Sequence, residues 1–276
     1  MSSSALKHLG RTGSDDPGLK DTLFSLEMDE ERNIRLVVAY DGRDYHGWQR
    51  QKGESTLQGV LEEGILRMTG VPARLIASGR TDAGVHALHQ VCHFKTRSLL
   101  DPEAIRRGLN ALTPTDIYIE ETAYVPLDFH ARYSALSKTY EYRLLNRKDP
   151  DPFLRFYTWH IPAKLDVAAI QTSLPLLIGR HDFSSFRSSG SGNINPVRRM
   201  IRAEFRDAGE GLLRFVFEAD GFLRHMVRNM VGTLIDVGMG KIGRDEFLKI
   251  FLAEDRRLAG IKAPPQGLFL TMVKYE

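Results

Sequence analysis

The order of predicted strands and helices is the feature that most constrains the fold of this chain. A buried-strand pattern over Asn33–Tyr40 is followed by a helical pattern, and strands and helices then continue to the C-terminus. In both halves the strands come in hairpin pairs with helices between them, which predicts an α+β fold. We expect two similar α/β units with largely antiparallel sheets that meet at a central cleft, where an active site would lie.

Capping residues set the expected helix boundaries in the first half. An apolar helical face is expected to begin after Ser55 or Thr56 and to end at Gly70. A second helix is expected between Asp101 as its cap and Pro114 as its stop. Both helices fall between predicted strands, as the α+β interpretation requires.

The second half begins near Lys138 with another strand pattern. A hairpin is expected to turn at 207–211, and a long helix is expected over 221–238. Arg224 and Arg228 are four residues apart, so they would share one face of that helix. A closing strand is expected at the C-terminus.

Three segments follow from these patterns: an extension over 1–32, a first unit over 33–137 and a second over 138–276. The extension is polar and lacks periodicity, so we expect it to be disordered. It carries four Lys/Arg against seven Asp/Glu, whereas the rest carries 34 against 28, a net charge of +6. This basic excess fits a phosphate-rich partner.

Several protein classes are disfavoured by composition. No uninterrupted apolar stretch approaches the roughly 18 residues of a membrane span, so we expect no membrane association. The N-terminus has no signal-peptide core. A single cysteine forms no internal disulfide, which favours a cytoplasmic location.

The stretch GMGKIG, Gly238–Gly243, matches the glycine spacing of a dinucleotide-binding loop. Such a loop follows a strand and opens a helix, whereas a helical pattern precedes this stretch. We therefore expect these glycines to end one helix and to start the next.

A cluster of metal-ligating residue types comprises His86, His89, Cys92 and His93. The surrounding residues favour a strand, on which His86 and His89 would face opposite sides of the sheet. Zinc sites usually draw ligands from two segments, and the sequence has no second Cys/His cluster. We therefore expect no metal site.

The stretch SGRTDAGVHA, which begins at Ser78, places Asp82 in the connection between two predicted strands. Loops of this kind often carry functional groups. Asp82 could equally form an Asx-type turn, in which its carboxylate accepts hydrogen bonds from nearby amides. The residues alone leave both interpretations open.

Six segments, taken in order along the chain, carry a family resemblance. They are YDGRDYHGWQRQ (Tyr40–Gln51), SGRTDAGVHA, DFHARYSALSKTYEYR (Asp128–Arg143), GRHDFSSFR (Gly179–Arg187), FLRHMVRNMVGTLIDVG (Phe222–Gly238) and PQGLFL (Pro265–Leu270). Together they resemble the tRNA pseudouridine synthase A family from about residue 34 to the end. GRTDAGVHA is highly specific to that family, and the ordered set is stronger still.

The resemblance implies that uridine is isomerised to pseudouridine at positions 38, 39 and 40 of the tRNA anticodon stem-loop. The N1–C1′ bond breaks, the uracil turns, and C5 bonds to C1′. The reaction includes no redox step or net hydrolysis, so we expect no cofactor. Two alternatives are a non-catalytic tRNA-binding module and an RNA glycosylase. The single carboxylate of the motif disfavours the glycosylase, since hydrolases usually use a pair.

Four residues match catalytic positions of the family. Asp82 matches the essential carboxylate, acting either as a nucleophile at C1′ or as a base at the 2′ hydrogen. Arg80 matches a residue near the position that an extruded uridine vacates, and it can hold Asp82 ionised. Tyr140 matches the active-site tyrosine, with Tyr142 expected on the opposite face of its strand. Arg228 matches a basic residue that pairs with the aspartate.

Further residues match family positions that contact the base or the tRNA. Leu268 would form an apolar wall against uracil, although it could equally be a core leucine. The tRNA-contacting positions are Phe129, His130, Ala131, Arg132 and Tyr133, together with Gly190, Ser191, Gly192, Asn193 and Ile194. Arg198 and Arg199 could meet phosphates. Family members are homodimers whose subunits jointly grip one tRNA, so tRNA and a second copy are the expected partners.

Overall fold

Ten strands form one continuous sheet in residues 30–188 and 195–276, which are the residues that the computed structural model describes. The strands are β1 (Arg32–Tyr40), β2 (Ile76–Ala77), β3 (His86–Thr96), β4 (Ile117–Val125), β5 (Ser137–Leu145), β6 (Trp159–His160), β7 (Gly179–Asp182), β8 (Val197–Asp207), β9 (Leu212–Ala219) and β10 (Leu268–Lys274). Their order is β4-β1-β3-β10-β5-β9-β8-β7, with β2 beside β3 and β6 beside β5. Only β10 with β3 and β6 with β5 pair in parallel, so the predicted α+β class with a largely antiparallel sheet is confirmed.

The same described residues contain five α-helices and three short 3-10 helices. They are α1 (Leu57–Thr69), α2 (Pro102–Leu112), α3 (Val167–Ser173), α4 (Met226–Gly238) and α5 (Arg244–Leu252), with 3-10 turns at Leu174–Leu177, Ser184–Phe186 and Pro265–Gly267. Helices α1 and α2 pack together beside β4, whereas α3 contacts α4 and α5. None of the helices in this part of the chain is long and apolar enough to cross a bilayer.

The last strand joins the two halves of the chain. β10 lies between β3 from the first half and β5 from the second, with Leu270 opposite both Ala87 and Tyr140. Apolar side chains of both halves belong to one buried cluster. The division into units over 33–137 and 138–276 stays a prediction, and the extension over 1–32 lies outside the described residues up to residue 29.

Helix caps stand where local sequence signals predicted them. The Thr56 hydroxyl accepts a hydrogen bond from the Gly59 N–H at 3.3 Å, and Gly70 ends α1 with a φ of 71°. The Asp101 carboxylate accepts from the Ala104 N–H at 2.7 Å at the start of α2. Because these signals act within one turn of a helix, they are readable without knowledge of the tertiary fold.

The long helix predicted from residue 221 begins later than expected. His225 has a φ of 62°, in the left-handed region, and α4 starts only at Met226. Arg224 therefore precedes the helix, and the expectation that Arg224 and Arg228 share a helical face is wrong. At the other end Gly238 ends α4 and Gly243 precedes α5, so that part of the prediction is confirmed.

Helix α4 makes a close backbone contact at Gly232. A Cβ atom at this position would lie 1.7 Å from the carbonyl oxygen of Ile261. Two residues further along, Ala263 N–H donates to the Arg228 carbonyl at 3.1 Å. The absence of a side chain at Gly232 thus lets the 261–263 segment lie directly against α4.

We predict that Gly232→Ala destabilises the protein by about 2 kcal/mol, because the new methyl group meets backbone that cannot move aside cheaply. Gly243→Ala is the matched control, since a Cβ there has no heavy atom within 4 Å. Urea unfolding of both variants measures the difference. Equal stability of the two variants would contradict this account of the contact.

Candidate active site

The loop that carries Asp82 connects β2 to β3 and is anchored on both sides. The Tyr40 hydroxyl and the Thr81 hydroxyl are hydrogen-bonded at 2.8 Å. The Trp48 N–H donates to the Thr81 carbonyl at 3.0 Å. These bonds come from the segment YDGRDYHGWQRQ, so one family-like segment braces the other.

Gly47 lies where the two segments come into close contact, and only glycine fits there. Its φ is 85°, and a Cβ atom there would lie 2.7 Å from the Thr81 carbonyl oxygen and 3.0 Å from the Asp82 carbonyl carbon. Both the backbone conformation and the close approach exclude a side chain. The position of the Asp82 backbone therefore depends on direct backbone contact with Gly47.

A buried arginine holds the Asp82 carboxylate. Arg228 Nη1 donates to Asp82 Oδ2 at 3.1 Å, and Arg228 Nε donates to the Ala263 carbonyl at 2.8 Å. The Arg228 side chain is 7% exposed, whereas that of Asp82 is 28% exposed. The carboxylate is thus fixed from behind by a charge-assisted bond and open on another side. Its bond to Arg228 replaces the Asx-type turn that the sequence left open.

His225 is a neighbour of Asp82 that the sequence did not reveal. Its Nε2 lies 3.5 Å from Asp82 Oδ1. Burial lowers the pKa of His225, the charge of Asp82 opposes this shift, and Lys262 and Arg228 add to it. The imidazole is therefore neutral near pH 7. A histidine within an apolar helical pattern was the only signal in the sequence, and it is a weak one.

Tyr140 and Tyr142 lie on the same face of β5, so the expectation of opposite faces is wrong. Residues two apart on a strand share a face, and Leu270 and Leu268 of β10 stand opposite them in register. Tyr142 is fully buried and its hydroxyl donates to the Pro264 carbonyl at 2.8 Å. Tyr140 is 8% exposed.

Burial is the largest cause of the raised pKa of Tyr140, and the charge of Asp82 contributes. Its phenol therefore remains protonated at neutral pH and lies within electrostatic reach of Asp82. The ring packs edge-on against Phe222, with 4.9 Å between centroids. The structure thus gathers Asp82, Arg228 and Tyr140 in one region.

Arg80 is exposed, and it makes no ion pair within the described part of the chain. The arginine that bonds to Asp82 is Arg228, as the family resemblance implied, and not Arg80. The expected contact of Arg80 with an extruded nucleotide stays a prediction.

The predicted tRNA-contacting segment Phe129–Tyr133 leads from β4 into β5. Its first part is anchored, because the Ala131 N–H donates to His93 Nδ1 at 3.1 Å. Its second part is open, with Arg132 exposed and Tyr133 77% exposed. Leu268 is buried opposite Tyr142, which fits the alternative of a core leucine as well as a wall of the site. Gly190, Ser191, Gly192, Asn193 and Ile194 lie outside the described residues.

The four residues considered as metal ligands make separate contacts. His86 lies 3.0 Å from Asp41 Oδ1, and His89 lies 3.9 Å from Glu120. His93 accepts the Ala131 N–H, and Cys92 is fully buried. In residues 30–188 and 195–276 no three His, Cys, Asp or Glu residues form a group that could hold a metal ion.

Comparison with known proteins identifies the family. A family model described as tRNA pseudouridine synthase matches residues 36–134 and 174–276. This chain belongs to the tRNA pseudouridine synthase family. The tRNA pseudouridine synthase A of Thermoanaerobacter sp. (strain X514) is 45% identical over 244 residues, covering 88% of this chain and 100% of that protein. That of Acetivibrio thermocellus is 43% identical over 244 residues with the same coverage, and that of Syntrophotalea carbinolica is 42% identical over 242 residues, covering 88% and 96%.

Family membership makes the chain an isomerase that forms pseudouridine in tRNA. It favours this activity over the two alternatives, a non-catalytic tRNA-binding module and an RNA glycosylase. The single carboxylate at the centre of the site agrees with chemistry that rearranges a glycosidic bond without net hydrolysis.

We predict that Arg228→Lys lowers the rate of pseudouridine formation by about 30-fold, because one ammonium group cannot bridge Asp82 and Ala263 as the guanidinium does. Arg256→Lys is the matched control. Arg256 also donates two hydrogen bonds, to Asn229 Oδ1 and to the Ala259 carbonyl, both at 3.0 Å, but not to Asp82. Single-turnover assays on tRNA transcripts measure both. An equal loss in both variants would mean that Arg228 acts only through stability.

Proposed function

We propose that this synthase isomerises uridines 38, 39 and 40 in the anticodon stem-loop of tRNA, with Asp82 as the essential carboxylate. The observation that carries the proposal is the partly exposed Asp82 carboxylate on the buried Arg228 guanidinium. The anticodon stem-loop positions rest on the family-like segments. We also propose that the enzyme works in the cytoplasm and that it is a homodimer. Light scattering of the purified protein would test the homodimer.

Asp82 supplies the one anion that the sugar needs. Asp82 acts by one of two routes, and in both the N1–C1′ bond breaks with its electrons going to uracil. In the first, Asp82 bonds to C1′ as the uracil departs, and the Asp82–C1′ bond breaks again when C5 attacks C1′. In the second, Asp82 removes the 2′ hydrogen to give a glycal and returns that proton to C2′ when C5 bonds to C1′. The hydrogen bond from Arg228 holds the carboxylate in place for this step.

Tyr140 is suited to hold the base and to assist the last proton transfer. Its ring is a flat surface beside Asp82 on which uracil can stack. Its raised pKa keeps the hydroxyl protonated, so the phenol donates a hydrogen bond rather than acting as a free anion. The proton lost from C5 after the new bond forms passes to solvent, either directly or by way of this hydroxyl, which releases its own proton to solvent as it accepts the one from C5.

Lys138 extends the site towards the nucleic acid backbone. Lys138 is 8% exposed, and its Cδ and Cε atoms lie beside Gly79, which is in the Asp82 loop, three residues before Asp82. Burial lowers the pKa of Lys138, and the nearby charges of Arg132 and Arg198 lower it further, opposed by Asp220. Three cations near one carboxylate favour an anionic partner, and tRNA phosphates provide it.

We predict that Asp82→Asn abolishes pseudouridine formation while the Kd for tRNA changes by less than about threefold, since the amide keeps the size but not the charge. Asp101→Asn is the control, because asparagine caps a helix as well as aspartate does. A carbodiimide-adduct assay on reacted tRNA detects the product, and positions 38, 39 and 40 are mapped by primer extension. Product from pure Asp82→Asn would refute the assigned role.

We predict one kind of defect for Arg80 and the opposite kind for the cations Lys138, Arg198 and Arg199. Arg80→Ala should bind tRNA almost normally yet be nearly inactive, because its contact belongs to the extruded state. The double variant Lys138→Met with Arg198→Met should bind about tenfold more weakly, and its salt slope should fall by about one ion per lost contact. Arg198→Ala with Arg199→Ala should show the same binding defect.

Filter-binding salt titrations beside single-turnover kinetics separate these effects. Loss of affinity in Arg80→Ala in proportion to its loss of activity would make Arg80 an ordinary phosphate ligand. An unchanged salt slope in the Lys138 and Arg198 double variant would remove these cations from the tRNA interface.

A further inference from the structure

The two oxygens of the Asp82 carboxylate have different protein neighbours. Oδ2 accepts the hydrogen bond from Arg228 at 3.1 Å, and Oδ1 lies 3.5 Å from Nε2 of His225. The two partners are three residues apart in one segment, because His225 directly precedes α4 and Arg228 lies in its first turn. The carboxylate is therefore contacted at both oxygens from the same segment.

His225 adopts a backbone conformation that histidine does not favour. Its φ and ψ are 62° and 7°, a left-handed conformation that glycine or asparagine adopts more easily. Such conformations persist where the surrounding structure imposes them, and they concentrate at functional sites. The backbone conformation alone does not explain why a histidine stands at this position, so the explanation lies in its side chain.

Its hydrogen bonding also lacks a structural explanation. Nδ1 of His225 is buried and has no hydrogen-bond partner in the described part of the chain. A purely structural histidine normally satisfies its buried ring nitrogen. The imidazole is instead arranged with Nε2 towards the catalytic carboxylate, at a distance that a bound substrate can shorten.

We propose that His225 is a positioning residue, whose Nε2–H holds Oδ1 of Asp82 while Arg228 holds Oδ2. With both oxygens engaged, the carboxylate keeps its orientation when the uridine enters, and one face stays directed at the sugar. This inference rests on the proposed role of Asp82. It assigns a function to a residue that otherwise only forms the left-handed turn before α4.

The charges around His225 favour a neutral donor over a cation. Asp82 attracts a proton to the imidazole, whereas burial and the positive charges of Lys262, Arg228 and Arg224 oppose one. These groups come from the loop before β3, the segment before β10, and α4 with the turn preceding it. A neutral Nε2–H donates to Asp82 without adding a further positive charge beside Lys262, Arg228 and Arg224.

Three variants separate the side chain from the backbone turn. His225→Gly removes the imidazole and the left-handed strain together, and His225→Ala removes the imidazole but keeps the strain. His225→Asn tolerates the left-handed conformation and retains an N–H donor. Each is compared with the wild type for single-turnover pseudouridine formation at saturating enzyme, for tRNA affinity and for Tm.

We expect His225→Gly and His225→Ala to be slower by about 30-fold, the effect of losing one hydrogen bond to a charged group. His225→Asn should recover to within about fivefold of the wild type, and the Kd for tRNA should change by less than about twofold in all three. His225→Gly should keep the wild-type Tm, which excludes misfolding as the cause.

Two results would overturn the inference. A His225→Gly variant with the wild-type rate would make His225 a turn residue only, and a His225→Asn variant as slow as His225→Gly would remove the donor role. The wild type in the same assay tests the proposed function separately. No pseudouridine from the wild type would overturn that function and this inference with it.

Discussion

The bond between Arg228 and Asp82 joins parts of the chain that are 146 residues apart. A guanidinium that is almost completely buried is stable only if its N–H donors have partners. The hydrogen bonds to Asp82 and to the Ala263 carbonyl offset the free-energy cost of removing Arg228 from water. The second half therefore determines where the Asp82 carboxylate of the first half points. Loss of Asp82 would leave the buried Arg228 guanidinium without one of its partners, whereas loss of Arg228 would leave a carboxylate that already reaches solvent.

The segment that follows Ala263 extends this coupling into the sheet. Pro264 accepts the hydrogen bond of the buried Tyr142 hydroxyl, and Pro265 lies against Gly84 in the Asp82 loop. Three residues later the same segment enters β10, which separates β3 from β5. A short stretch thus touches Arg228, the Asp82 loop and the strand that carries Tyr140. The family-like PQGLFL segment is explained by this geometry more than by contact with the base through Leu268.

The parts of the fold that were predictable are those set by local signals. Thr56 and Asp101 cap their helices as expected, because capping depends only on neighbouring residues. The start of α4 was not predictable, since the left-handed turn at His225 interrupts an apolar helical pattern without glycine or proline. Proximity in sequence likewise favoured Arg80 as the partner of Asp82. The actual partner, Arg228, was predicted only through the family resemblance, because tertiary packing selects it and no spacing in the sequence displays that packing.

The charges around Asp82 explain how one carboxylate can serve a reaction in which the uracil base and the sugar develop opposite charges. Under the proposed reaction, electrons of the N1–C1′ bond pass to uracil, so negative charge grows on the base while positive charge grows on the sugar. Asp82 is the anion among the groups that act on His225, and Lys262, Arg228 and Arg224 are the cations. This excess of positive charge favours the departing anionic base and the phosphates, and it opposes protonation of the His225 imidazole. Under the same proposal, a neutral His225 adds no positive charge beside Asp82, which is the group that meets the positive charge growing at C1′.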